Sequence, residues 1–109
     1  MTDRRRILPS RRQAETFDIN FGGLDRSYAV TIGFYVDGSL GEVFISGGKS
    51  GEAIEAIARD GAVLLSLALQ YGAQVEILAG AITRDGQGAP SSIIGAVVDR
   101  LLTVRASDE

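Results

Sequence analysis

The 109-residue chain has no cysteine and no histidine. Without cysteine there is no disulfide framework, no thiolate metal site and no cysteine nucleophile. Without histidine there is no imidazole ligand and no Ser-His-Asp triad. A metal would have to be held by carboxylates alone, and no cofactor is expected. Long apolar runs are also missing. The longest, Ala62 to Leu69, falls far short of the ~20 residues of a membrane-spanning helix. The N-terminus is basic, but no apolar segment follows it as in a secretory signal. The expectation is a cytoplasmic protein with no membrane partner.

What is present suits one small domain. Hydrophobic residues make up 45% and charged residues 23%. The net charge of −3 is unevenly spread. Residues 1–12 hold Arg4, Arg5, Arg6, Arg11 and Arg12 against Asp3 alone. The remainder is acidic, with six basic residues against thirteen acidic ones. Residues 1–14 show no periodicity and read as a flexible or docking basic arm. The five arginines are candidates for contact with nucleic acid or an acidic protein surface. A solvated tail is the alternative, and no aromatic residue interleaves them for base stacking.

The stretch "AETFDINFGG" alternates Phe17, Ile19 and Phe21 with polar residues, the pattern of a half-buried strand. Tyr28, Val30, Ile32, Phe34 and Val36 fall on one face of a second strand. Asp37-Gly38 is a hairpin signal, with both positions tolerating positive φ. Gly41 to Ser46 returns as the third strand. Gly33 inside the second suggests a bulge or the close approach of another group. A helix of about 20 residues follows, with Ser50 as a plausible N-cap, Glu55 and Arg59 paired on its outer face, and Gly72 closing it. Ile54, Ile57, Gly61, Leu64 and Ala68 form its apparent apolar stripe. Its second half is apolar nearly all round, which predicts burial on several sides by the domain or by a second subunit. "QVEILAGAI" reads as a short helix and "TRDGQGAPSS" as a loop. Ser91 or Ser92 caps a last helix striped by Ile93, Ile94, Val97, Val98, Leu101 and Leu102. The order β-β-β-α-α-α defines an α+β domain, a three-stranded antiparallel meander with three helices on one face. It spans residues 15–104, with a polar tail at 105–109.

Between the third strand and the long helix lies Gly47-Gly48-Lys49-Ser50-Gly51. Gly48-Lys49-Ser50 fits the end of a phosphate loop, G-x-x-x-x-G-K-[ST]. Val43 stands where the first glycine belongs, and the preceding strand sits in an antiparallel hairpin, so nucleotide hydrolysis is not expected. The five residues are kept as a candidate anion or nucleotide site, using backbone N–H groups and the Lys49 charge. A plain strand-to-helix reversal is the alternative. Among the carboxylates, Asp60 is the most interesting, because it lies near the apolar half of the helix, with a surface or ion-paired position ranked above a catalytic one. No constellation suffices for a named reaction.

"LPSRR", "GEVFISGGKSG", "LSLALQYG" and "SSIIGAVVDRLL" together resemble the TSCPD-type domain near the C-terminus of adenosylcobalamin-dependent (class II) ribonucleotide reductases. The likeness runs from about Arg5 to Leu102. Glu42, Lys49, Ser66, Gln70, Tyr71, Thr83 and Arg84 are among the positions that match. After Thr83-Arg84 this chain has Asp85-Gly86-Gln87 in place of the family's aromatic-acidic-proline run. The resemblance implies a free-standing relative of an accessory domain. The reductase's barrel, radical-bearing cysteine, cobalamin site and redox cysteine tail are not in this sequence, so it is not expected to reduce ribonucleotides alone. The leading expectation is a non-catalytic binding or assembly module that forms homo-oligomers and acts through a protein partner, such as a reductase, or a small anionic ligand. The alternatives are a nucleic-acid-binding protein using the arginine arm and a nucleotide-binding regulatory domain using the Gly47–Gly51 turn.

Overall fold

The computed structural model describes residues 3–23, 26–47 and 52–107. Three strands, β1 (Ala14–Asn20), β2 (Ser27–Phe34) and β3 (Leu40–Gly47), precede three helices, α1 (Ala53–Gln70), α2 (Val75–Ala81) and α3 (Ile93–Ser107). The sheet is antiparallel in the order β1-β2-β3. This is the expected α+β arrangement. The period-two pattern places Tyr28, Val30, Ile32, Val43 and Ile45 on the core face, all essentially buried. Phe17 and Ile19 pack at its margin. From α3, Ile93, Val97, Val98 and Leu101 complete the core, while Ile94 and Leu102 are half-buried.

The β2–β3 hairpin differs from its sequence signature. Only glycines take positive φ among the described residues, so Asp37 does not join Gly38 in a mirror-image turn. Instead Gly38 N–H donates to the Tyr35 carbonyl (2.9 Å), closing a turn around Val36 and Asp37. Gly38 at φ +87° then lets Tyr35 N–H reach the Ser39 carbonyl (2.8 Å). Val36, placed by the alternation on the face of Tyr28, Val30 and Ile32, sits instead in this turn at 93% exposure. The register shifts between Gly33 and Phe34, the bulge that Gly33 suggested.

Helix α1 is rotated relative to the expected stripe. Its buried line is Ala58, Ala62, Leu65 and Leu69. Ile57 and Leu64, assigned to the core by spacing, are 60% and 68% exposed, and Ile54 is at 36%. The reason is what α1 packs against. It lies along the outer edge of β3, where short alanine side chains and two polar side chains permit a close approach. The half-exposed Gly61 turns toward Ile94 of α3, which leaves no room there for a Cβ. Asp60 points to solvent rather than into a buried setting.

The C-terminus of α1 and the N-terminus of α3 are capped in the ordinary way, and the N-terminus of α1 is not. The N-cap of α1 is Glu52, without a side-chain cap bond, rather than Ser50, which lies outside the described residues. Glu55 and Arg59 approach to 3.8 Å as the i,i+4 spacing predicts. At the C-terminus Gly72 N–H donates to the Leu69 carbonyl and Ala73 N–H to the Ala68 carbonyl, the paired bonds of a Schellman motif. Ser92 caps α3, its Oγ accepting Gly95 N–H at 3.0 Å. Helix α3 continues through Ser107, into residues whose polarity suggested a tail.

Candidate functional site

The free side of β3 explains why serine and glutamine stand four apart in "LSLALQYG". An outer strand presents alternate N–H and C=O groups away from its neighbour, and these need partners when covered. Ser66 Oγ accepts Val43 N–H at 2.8 Å and donates to the Val43 carbonyl at 2.9 Å. One turn on, Gln70 Nε2 donates to the Gly41 carbonyl at 2.9 Å. These two side chains stitch α1 to the sheet edge and satisfy its polar groups.

The basic arm completes the same seam. Arg5 Nε donates to Gln70 Oε1, and Arg6 N–H donates to the Gln70 carbonyl (2.8 Å), one of the open carbonyls of the α1 C-terminus. Gln70 is thus buried with its amide engaged at both ends. Arg6 stacks on the Tyr35 ring at 3.8 Å and pairs with Asp37 at 3.0 Å. Tyr35 Oη in turn donates to the Arg6 carbonyl (2.7 Å). Burial raises the Tyr35 pKa, against the pull of Arg6 and Arg5. Bonds from Ser39 and then from Arg6 lower the Asp37 pKa to about 2.

Further along the arm, the Arg12 guanidinium forks onto the Glu42 carboxylate, with Nη2 to Oε1 at 3.2 Å. Gly33 lies opposite Glu42 in the ladder, and a Cβ there would sit 2.4 Å from Glu42 Oε2. The glycine therefore makes room for a carboxylate that is only 12% exposed, and Arg12 neutralises it. Arg5, Arg6 and Arg12 are all committed to partners within the chain.

A second polar cluster ties α3 to the loop before it. Arg84 pairs bidentately with Asp99 (2.7 and 2.9 Å) and donates to the carbonyls of Ala79 and Gly88. This contact lowers the Asp99 pKa. Asp85 Oδ1 accepts the N–H groups of Gln87 and Ala89, which shapes the loop. The exposed Thr83 offers its carbonyl to Ser91 N–H.

Of the residues singled out by sequence, Glu42, Gln70, Arg5 and Arg12 meet at one junction. Tyr71 is the half-buried C-cap of α1 beside it. Thr83 and Arg84 belong to the separate loop cluster. Arg4 and Arg11 are exposed. Of the candidate anion turn only Gly47 is described, ending β3 where a Cβ would collide with the Ser27 carbonyl; Gly48, Lys49, Ser50 and Gly51 lie outside the described residues.

Sequence reasoning missed a groove beside this junction. It occupies about 560 Å³ between the outer side chains of β3 and those of α1. Phe44, Val63 and Leu67 give it an apolar wall, with Arg5 and Arg59 also lining it. Phe44 and Val63 are 56% and 57% exposed. The available signal was the all-round apolar character of α1, which one chosen stripe could not absorb. No group of metal-ligating side chains occurs among the described residues, nor does a helix long and apolar enough to cross a membrane.

An α+β meander whose edge is sealed by a Ser/Gln helix and an arginine arm defines the class of module. The TSCPD domain family matches residues 3–104, and the chain belongs to that family. The chain is also similar to B12-dependent ribonucleotide reductases. It is 42% identical to that of Agrobacterium fabrum over 72 residues, 66% of this chain and 6% of that protein. It is 37% identical to that of Rhodopirellula baltica over 75 residues, 69% of this chain and 7% of that protein. With the Bradyrhizobium diazoefficiens protein it shares 38% over 79 residues, 72% and 6% respectively. The matched segment is thus a small part of these relatives. No solved structure matches the chain.

Proposed function

We propose that the chain is a non-catalytic accessory module of the kind carried by B12-dependent ribonucleotide reductases, acting in the cytoplasm by protein contact. It self-associates through α1 and docks on a reductase or a protein that serves one. The observation that carries this reading is the inverted polarity of α1. Ile57 and Leu64, seven residues apart on one flank, are 60% and 68% exposed, while Ser66 and Gln70 are turned inward. Large side chains left bare on one flank of a helix mark an interaction surface.

The competing readings are less favoured. Nucleic-acid binding through the arm would compete with the Arg6–Asp37 and Arg12–Glu42 ion pairs. The turn that nucleotide binding would use lies outside the described residues, Gly47 excepted. The test is light scattering coupled to gel filtration on the intact chain and on an Ile57→Ser, Leu64→Gln variant. An oligomer that falls to monomer in the variant supports the reading. A native chain that is strictly monomeric and does not associate with purified B12-dependent reductase overturns it.

A further inference from the structure

We propose that the groove between β3 and α1 is a docking site for a short protein segment with an apolar centre flanked by acidic residues. The inference rests on the binding-module reading and gives its partner a chemistry. The centre of the groove is apolar, with Phe44 on the sheet side and Val63 and Leu67 on the helix side. Its two ends are cationic. Arg5 is held at Gln70, and Arg59 lies eleven residues earlier on α1. At 1.5 Å per residue the two stations are about 16 Å apart along the helix. An extended segment spans that length with about five residues.

Among the described residues the one carboxylate lining the groove, Glu42, is already neutralised by Arg12. Arg59 meets Glu55 only at 3.8 Å with its own side chain 64% exposed, a contact too weak to consume its charge. So the groove is a cationic-ended slot on a chain whose net charge is −3. An acidic partner is repelled by the body and admitted there, which fixes where and how it seats. A small polar metabolite fits less well. Of the groove's neutral polar side chains among the described residues, Ser66 and Gln70 are already bonded to the sheet edge, which leaves Ser46 alone. A small-molecule site needs convergent polar groups that are still open.

The test is panning of random 12-residue peptides, displayed on phage, against the intact chain. Selected peptides are then measured by fluorescence anisotropy. The expected consensus is a Leu/Ile/Phe core between Asp or Glu residues. Phe44→Asp and Val63→Asp, both at exposed positions, should each weaken binding about tenfold or more. Arg59→Gln should weaken it about threefold and flatten its salt dependence. Ile57→Ser with Leu64→Gln should leave it unchanged, which separates this site from self-association. No enrichment, a basic or uncharged consensus, or an affinity indifferent to Phe44→Asp and Val63→Asp would each overturn the proposal. A chain that self-associates yet selects no such peptide loses this inference and keeps the function proposed above.

Discussion

The arm junction and the outer surface of α1 are opposites in sequence and in structure. The arm is arginine-rich and reads as solvent-facing, yet Arg5, Arg6 and Arg12 are bonded into the domain. Helix α1 reads as core, yet Ile57, Val63 and Leu64 stand in solvent. Polarity alone did not decide which segment was inside. What decided it was the sheet edge. The outward groups of β3 demand hydrogen bonds, and a helix that supplies them must turn its polar residues in and part of its apolar surface out.

That contrast can be broken from the arm side first. Gln70→Ala removes the donor to Gly41 and the acceptor for Arg5 and leaves a void. It should destabilise the chain by about 2–4 kcal/mol. A thermal melt should fall by roughly 10 °C or more. Gly33→Val pushes the Glu42 side chain out of its slot and off Arg12, for a loss of about 1–3 kcal/mol in urea unfolding. Ser66→Ala strips both bonds from Val43, with an expected loss of about 1–2 kcal/mol by the same measurement. By contrast, Leu64→Gln at low protein concentration should change stability by no more than about 0.5 kcal/mol. A large loss there would mean that the flank is buried in the folded unit and the comparison is wrong.

The smallest effect is electrostatic and concerns Asp37. Its folded pKa is depressed, so its contribution is present above the ordinary carboxylate range. That contribution fades as pH falls from about 4 toward about 2. The melting-temperature gap between the native chain and Asp37→Asn should therefore narrow over that window. A gap that persists unchanged at pH 2 would assign the effect to turn geometry instead of charge.

Much of the fold was legible because strand periodicity, Gly72 and the Ser92 cap act locally. The α3 stripe was legible for the same reason, since its apolar residues sit on one side only. The α1 face was not, because nearly every angle of that helix is apolar and spacing could not rank them. The small size of Ala58 and Ala62, which lets the helix approach an edge, was the better indicator. At the junction, Glu42 and Gln70 stood out through the family resemblance. Their pairing with Arg5 and Arg12 did not, since these arginines meet them across 65 and 30 residues of chain. Phe44, Val63 and Leu67 escaped as a groove because they come from two elements whose relative rotation was unknown.

The Ser66–Gln70 seam also has a metric consequence. Four helical residues advance about 6.0 Å and two strand residues about 6.6 Å. A helix lying antiparallel to a strand can therefore meet every second edge residue with every fourth helical one, drifting by only about half an ångström per step. Gln70 faces Gly41, Ser66 faces Val43, and the next step in the series is Ala62 against Ile45. Two lengths set by different hydrogen-bond patterns thus become a ruler. Sliding α1 by one turn would set Ala62 opposite Val43 and break both bonds of Ser66, so the spacing S-x-x-x-Q locks the helix at one position along the sheet.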